Sequence, residues 1–404
     1  MRRSRREFLG EVGRGMLVAS LGSTVAQDLG LASASFAEEP ARKLNFGVLE
    51  PLATLMEQTP ADRLLPILVQ RMRQGAELKE FIAAAALANA RAFGGQDYEG
   101  YHAIMALAPS YQMSQEMPES ERALPVLKVL YRNTSHIQST GRCSHEAMHE
   151  LETAGSPSAG TDATRLVDAT RRRDMPAAEQ IFAAETRRSL DEAYNDLQYL
   201  IQDNVNVHRV VLAWRAWVLL DFTGKEHAHT LLRQSVRYCV QEEESVRKYK
   251  TAEPLRTLLP RLLDERGLLS RKPGTTQPDD RALDALAMTI YGSSRDQAAE
   301  AAASALADGW SQEAVGEAIS LAANRLVLCD PGRQKDDSPA KPKGSVHGAS
   351  VGGHACDAAN AWRNIARVVD QRNAVASLIV AAYHTAGQSA GQHLLPYPLD
   401  LSAG

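Results

Sequence analysis

Aromatic residues are scarce (5%), and the 404 residues include only 4 cysteines, Cys143, Cys239, Cys329 and Cys356, with no Cys-x-x-Cys pair. That spacing excludes a disulfide-dense mini-domain and predicts buried or free thiols. There is no basic excess, since the formal charge is -4. A phosphate-reading surface needs clustered Lys and Arg, so nucleic acid is not an expected partner. No apolar run reaches the roughly 20 residues that span a bilayer. A Walker loop, a GxGxxG turn after a strand and a CxxCH haem-attachment site are also missing. The β-branched and aromatic runs that mark strands are few.

What is present is Ala, Leu, Arg, Glu and Gln at helical spacing. Residues 78–92, 123–131, 178–203, 205–220, 282–290, 295–307, 312–327 and 374–384 read as helices. Breakers are expected at Gly94-Gly95, Pro109, 155–160, Pro273-Gly274, 292–294 and Pro331-Gly332. The fold class is therefore all-α, a helical bundle or array. A polar stretch over 330–353 reads as a surface loop inserted between helices.

An internal similarity runs through this pattern. Residues 75–91 align without gaps on 309–325, pairing Gly75 with Gly309, Leu87 with Leu321 and Arg91 with Arg325. A second register pairs His102-Ala103 with His354-Ala355, Ala106 with Ala358 and Tyr131 with Tyr383. Such matches predict a degenerate duplication with a pseudo-two-fold relation. The expected organisation is a helical half over 38–140, a connecting helical region over 141–280 and a second half over 281–404.

The N-terminus has a targeting layout: a basic head, an apolar middle at 16–26 and small residues toward Ala37. Ser4-Arg5-Arg6-Glu7-Phe8-Leu9 resembles the motif of twin-arginine (Tat) signal peptides, with Gly10 where Lys is common. The resemblance implies a cleaved signal over 1–37, recognition by the Tat export machinery, and passage of an already folded chain across the bacterial inner membrane. The remainder, with 40 basic and 46 acidic residues, carries -6 and is expected to be soluble and unanchored, in the periplasm or secreted. Cofactor-bearing proteins often use this route.

Candidate chemistry rests on the 11 histidines. His102 and His354 hold equivalent repeat positions, each at a helix start, where an imidazole can serve as metal ligand, haem ligand or base. With His136, His384 and His208 they form the expected set for a transition-metal or redox cofactor, with Zn, Fe and Cu not distinguished. A small-molecule substrate would follow. An alternative is the string His145-Glu146-Ala147-Met148-His149, which resembles the HExxH motif of zincin metallopeptidases. On a helix it would place two imidazoles on one face, with Glu146 as general base and Glu192, in an ExxxD string, as third ligand. A third expectation is a helical binding or scaffold protein without catalysis.

Overall fold

The computed structural model describes residues 42–141, 146–151, 162–339, 341–345, 350–389 and 394–397. Residues 1–41, including the signal-like segment, lie outside that set. The architecture is all-α. Among the described residues there is no strand; β pairing is confined to isolated bridges, such as Gly274 with Ser311. Asn45–Gly404 forms one unit.

Five helices open it: α1 (Glu50–Gln58), α2 (Ala61–Arg73), α3 (Leu78–Phe93), α4 (Tyr98–Glu116) and α5 (Leu124–Ser139). The middle holds α6 (Asp162–Arg172), α7 (Met175–Arg188), α8 (Leu190–Ile201), α9 (Val207–Val218), the single turn α10 (Leu220–Thr223), α11 (Ala228–Tyr249) and α12 (Glu253–Glu265). Five more close it: α13 (Asp280–Gly292), α14 (Arg295–Ala307), α15 (Gln312–Leu328), α16 (Val351–Ala366) and α17 (Gln371–Gln388).

The closing five repeat the packing of the opening five. In both sets the first helix packs on the third, the second on the fifth, and the last three on one another. Alanine makes this packing close. From Phe81 to Phe93 every side chain of α3 is buried, and so is every side chain of α17 from Asn373 to Ala386. A helix that is apolar all round has to lie inside the array rather than on its surface. Helix α9 packs on both α4 and α16, which joins the two sets.

Helix ends are set locally. Ser294 and Gln297 form a reciprocal capping box at α14, while Ser311, Ser350 and Asp370 cap α15, α16 and α17 through their side chains. Each such cap stabilises by about 1 kcal/mol by satisfying an orphan N–H group. At the end of α3, Gly94 adopts a left-handed conformation and the chain turns through Gly95 (φ +74°), where a Cβ would meet the Gln234 carbonyl oxygen at 2.4 Å. Only glycine fits there, and the turn delivers Asp97 to cap α4.

Three sequence expectations are corrected. Pro109 lies inside α4 and does not end it. The reading of 178–203 as one helix fails at Ser189, an extended residue whose hydroxyl caps α8. The HExxH string does not form a helix: 146–151 are non-helical. The physical reason is a competing pair of bonds, because Ala147 and Met148 donate their N–H groups to the Arg91 carbonyl oxygen, 3.0 and 3.1 Å away. That carbonyl lies in the last turn of α3, where the helix cannot satisfy it. The long loop is tied at its base by Asp330, whose carboxylate accepts from the N–H groups of Gly332 and Gly352.

Candidate functional site

The first turns of α4, α9 and α16 converge. Each carries one histidine: His102 on α4, His208 on α9 and His354 on α16. Their N-caps are made in the same way. Asp97 accepts from Glu99 and Gly100, Asn206 from His208, and Ser350 from Gly353. At the start of α16, a Cβ on Gly352 would meet the Val327 Cα at 2.5 Å, so glycine allows α16 to begin hard against α15.

His208 stands between the other two. Its ring centre is 4.9 Å from that of His102 and 5.8 Å from that of His354. Tyr98 and Tyr101 wall the cluster, with Tyr101 at 4.9 Å from the His208 ring and 4.8 Å from the His102 ring. All three histidines are half-buried. His102 Nδ1 is 2.6 Å from the Tyr98 carbonyl oxygen. A carbonyl only accepts, so Nδ1 carries a proton, and the neutral tautomer this bond selects has its lone pair on Nε2. Burial, then the nearby charges of His102 and His354 when protonated, lowers the His208 pKa to about 4. Near neutral pH the imidazole of His208 is therefore neutral.

Behind the cluster is a hydrogen-bonded support. Asn206 caps His208 through Oδ1 and donates Nδ2 to Glu242 at 2.6 Å, while Arg209 donates to the other Glu242 oxygen at 3.1 Å. The Tyr238 hydroxyl donates to Asn206 Oδ1 at 3.4 Å, and its ring meets Tyr101 edge-on. Burial raises the Tyr101 and Tyr238 pKa values, and the Glu242 charge adds to both shifts.

The other two histidines of the expected set are engaged elsewhere. His136 meets the Asp97 carboxylate at 2.7 Å and stacks on Phe93. Burial pushes the Asp97 carboxyl up, but hydrogen bonds from Gly100, His136 and Glu99 outweigh it and lower its pKa. His136 thus steadies the cap of α4 and does not face the cluster. His384 is fully buried and accepts the Trp362 indole N–H at 3.2 Å. Burial, followed by Arg295 and His354, lowers its pKa to about 3.

The zincin alternative divides. His145 lies outside the described residues, as does Cys143. Glu146 is 3.6 Å from the Arg91 guanidinium, and His149 lends its carbonyl oxygen to Arg233. Glu192 is exposed in the first turn of α8. Among the described residues, no set of three His, Cys, Asp or Glu side chains stands as a preformed metal site. Cys239, Cys329 and Cys356 are free thiols.

Sequence reading missed several members of the site. Tyr98 and Tyr101 lie one turn or less before His102, and Asp357 is three residues after His354, on the same face of α16. The sequence reading also took a GxSxG nucleophile elbow to be absent, although Gly348-Ala349-Ser350-Val351-Gly352 spells that pattern. That elbow needs a strand before the serine, and here the Ser350 hydroxyl is the N-cap of α16.

The fold and cluster define a class: an all-α protein of two similarly packed five-helix sets with a histidine centre where a connecting helix touches both. Compared with known proteins, the chain matches no family model, no curated protein and no solved structure. No helix of the described residues is long and apolar enough to cross a membrane.

Proposed function

We propose that this is an exported, metal-dependent enzyme whose His102, His208 and His354 take one divalent transition-metal ion. The observation that carries the reading is the convergence of three imidazoles from three separate helices. Imidazoles bonded to one tetrahedral ion at about 2.1 Å have ring centres roughly 5 Å apart, close to the spacings on either side of His208. Neutral imidazole suits Zn, Cu, Fe and Ni. The Tyr98 carbonyl fixes the tautomer of His102 in the way that outer partners orient metal-ligating histidines. An ion draws His102 and His354 in around His208. Three protein ligands leave a position for water or substrate, the arrangement of a catalytic site.

The matched packing of α1–α5 and α13–α17 supports a duplication in which His102 and His354 are counterparts. His208 then comes from the connecting region, which explains why it has no repeat partner.

Metal analysis of the folded chain tests the reading. About one equivalent of a transition metal should remain after dialysis, and Co²⁺ added to the metal-free protein should give visible absorbance. His208→Ala should lose both. Less than a tenth of an equivalent, with a featureless Co²⁺ titration, would overturn the proposal. Export rests separately on Arg5-Arg6, so Lys at both positions should leave the precursor inside the cell.

A further inference from the structure

Down the same three helices from the histidines lies an open cleft of about 400 Å³, within the range of small-ligand sites. Gln112 of α4, Trp214 and Arg215 of α9, and Asp357, Asn360 and Asn364 of α16 line it. Asp357 is the link between the two places. It lines the cleft; burial raises its pKa, and the nearby charges of Arg215, then His354 and His102, oppose that rise.

Arg215 is the unusual member. It is half-buried, seven residues and so two turns beyond His208 on one face of α9. Among the described residues it has no hydrogen-bond or ion-pair partner. Burial lowers its pKa, and Asp357 offsets this only from a distance. Arg91 and Arg233, by contrast, are ion-paired, to Glu50 and Glu57 and to Glu179, and even Arg209 and Arg325, which leave some nitrogens unbonded, each hold a carboxylate. A partly desolvated guanidinium that faces a cleft without a partner is open to a ligand's oxygens.

We infer that the cleft binds a polyhydroxylated monocarboxylate, a sugar acid or a close analogue, with its carboxylate on Arg215. This rests on the histidine cluster being the reacting end of the same groove. A guanidinium fork matches a carboxylate bidentately. Asp357 faces Arg215 without touching it and repels a dianion, so a phosphate is a poor occupant. The same carboxylate accepts from hydroxyls, the amides of Gln112, Asn360 and Asn364 can donate and accept, and the Trp214 ring offers an apolar face to C–H groups.

Isothermal titration of the full chain with D-gluconate, D-glucose and hexanoate tests this. Gluconate should bind at least tenfold tighter than glucose, which lacks the charge, and than hexanoate, which lacks the hydroxyls. Arg215→Met should abolish the preference for gluconate over glucose, and Arg215→Lys should restore part of it. His208→Ala should keep the preference while losing the metal. If wild-type protein binds gluconate no better than glucose, or Arg215→Met leaves the preference intact, the inference is overturned. Metal binding without a gluconate preference would defeat this inference alone, and the preference without metal would defeat the proposed function alone.

Discussion

Two arginines at matched positions should differ sharply in what they contribute to stability. Arg91 ends α3 with its side chain fully buried. Its guanidinium donates to both Glu57 oxygens at 2.9 and 2.7 Å and to both Glu50 oxygens at 2.8 and 2.9 Å, beneath the Phe46 ring. Burial lowers the Arg91 pKa, but Glu57 and Glu50 outweigh it and raise it. Glu57 is itself only 3% exposed. Arg91→Met leaves that carboxylate buried without its cation, and breaking a buried pair in this way costs about 3–5 kcal/mol. Its counterpart Arg325, on α15, pairs with Asp284 of α13, which is 59% exposed. Water replaces a lost partner there, so Arg325→Met should cost under about 1 kcal/mol. Chemical denaturation followed by far-UV circular dichroism measures both. The double variant Arg91→Met with Glu57→Met should recover part of the loss, because the most buried of the arginine's carboxylates goes with it, while the more exposed Glu50 can be solvated. Equal costs at the two sites, or a loss below about 1 kcal/mol for Arg91→Met, would refute the reasoning.

Other outcomes follow from single sites. Gly95→Ala forces a Cβ against the Gln234 carbonyl in left-handed backbone, so it should destabilise by several kcal/mol and lower metal binding with it; unchanged melting would contradict the turn's role. His229 is buried against Phe182, and burial, then Arg233 and Arg187, lowers its pKa to about 4. The unfolded chain keeps an ordinary histidine near 6.5 and binds the extra proton between those values. Stability should therefore be full above about pH 6.5 and fall by up to about 1.4 kcal/mol per unit toward pH 4. His229→Phe should remove this site's share and leave the shares of His208 and His384, so the slope over that stretch should lessen without vanishing, and an unaltered slope would dismiss the prediction. Asn206→Ala removes both the cap of His208 and a partner of Glu242, so metal affinity should drop about 10- to 100-fold while the fold persists. Unchanged affinity would show that this support is dispensable.

Much of the helical layout was legible because its causes are local. Alanine-rich periodicity marked α3, α14 and α15, and the Gly94-Gly95 break was visible as a turn. The aligned residues Arg91 and Arg325, and His102 and His354, were picked out from sequence registers alone. The arginines lie in the last turn of the third helix of each set, and the histidines near the start of the fourth. What was not legible depends on the third dimension. His208 joins His102 and His354 because α9 lies against both α4 and α16, a packing that no spacing along the chain encodes. Pro109 looked like a break, yet α4 tolerates it. The HExxH letters suggested a helix, but the Arg91 carbonyl, unsatisfied at the end of α3, captures the N–H groups that such a helix would need. Arg215 drew no notice in the sequence, since an arginine on an amphipathic helix is ordinary until its partners prove to be missing.

The most direct test of the central claim is X-ray absorption at the metal edge of the zinc-loaded full chain. The account predicts one bound zinc with three imidazole nitrogens at about 2.0–2.1 Å and a lighter oxygen ligand. His208→Ala should lose the zinc or one of those imidazoles. A sulfur shell, a site unchanged by His208→Ala, or a chain that retains no zinc would contradict it.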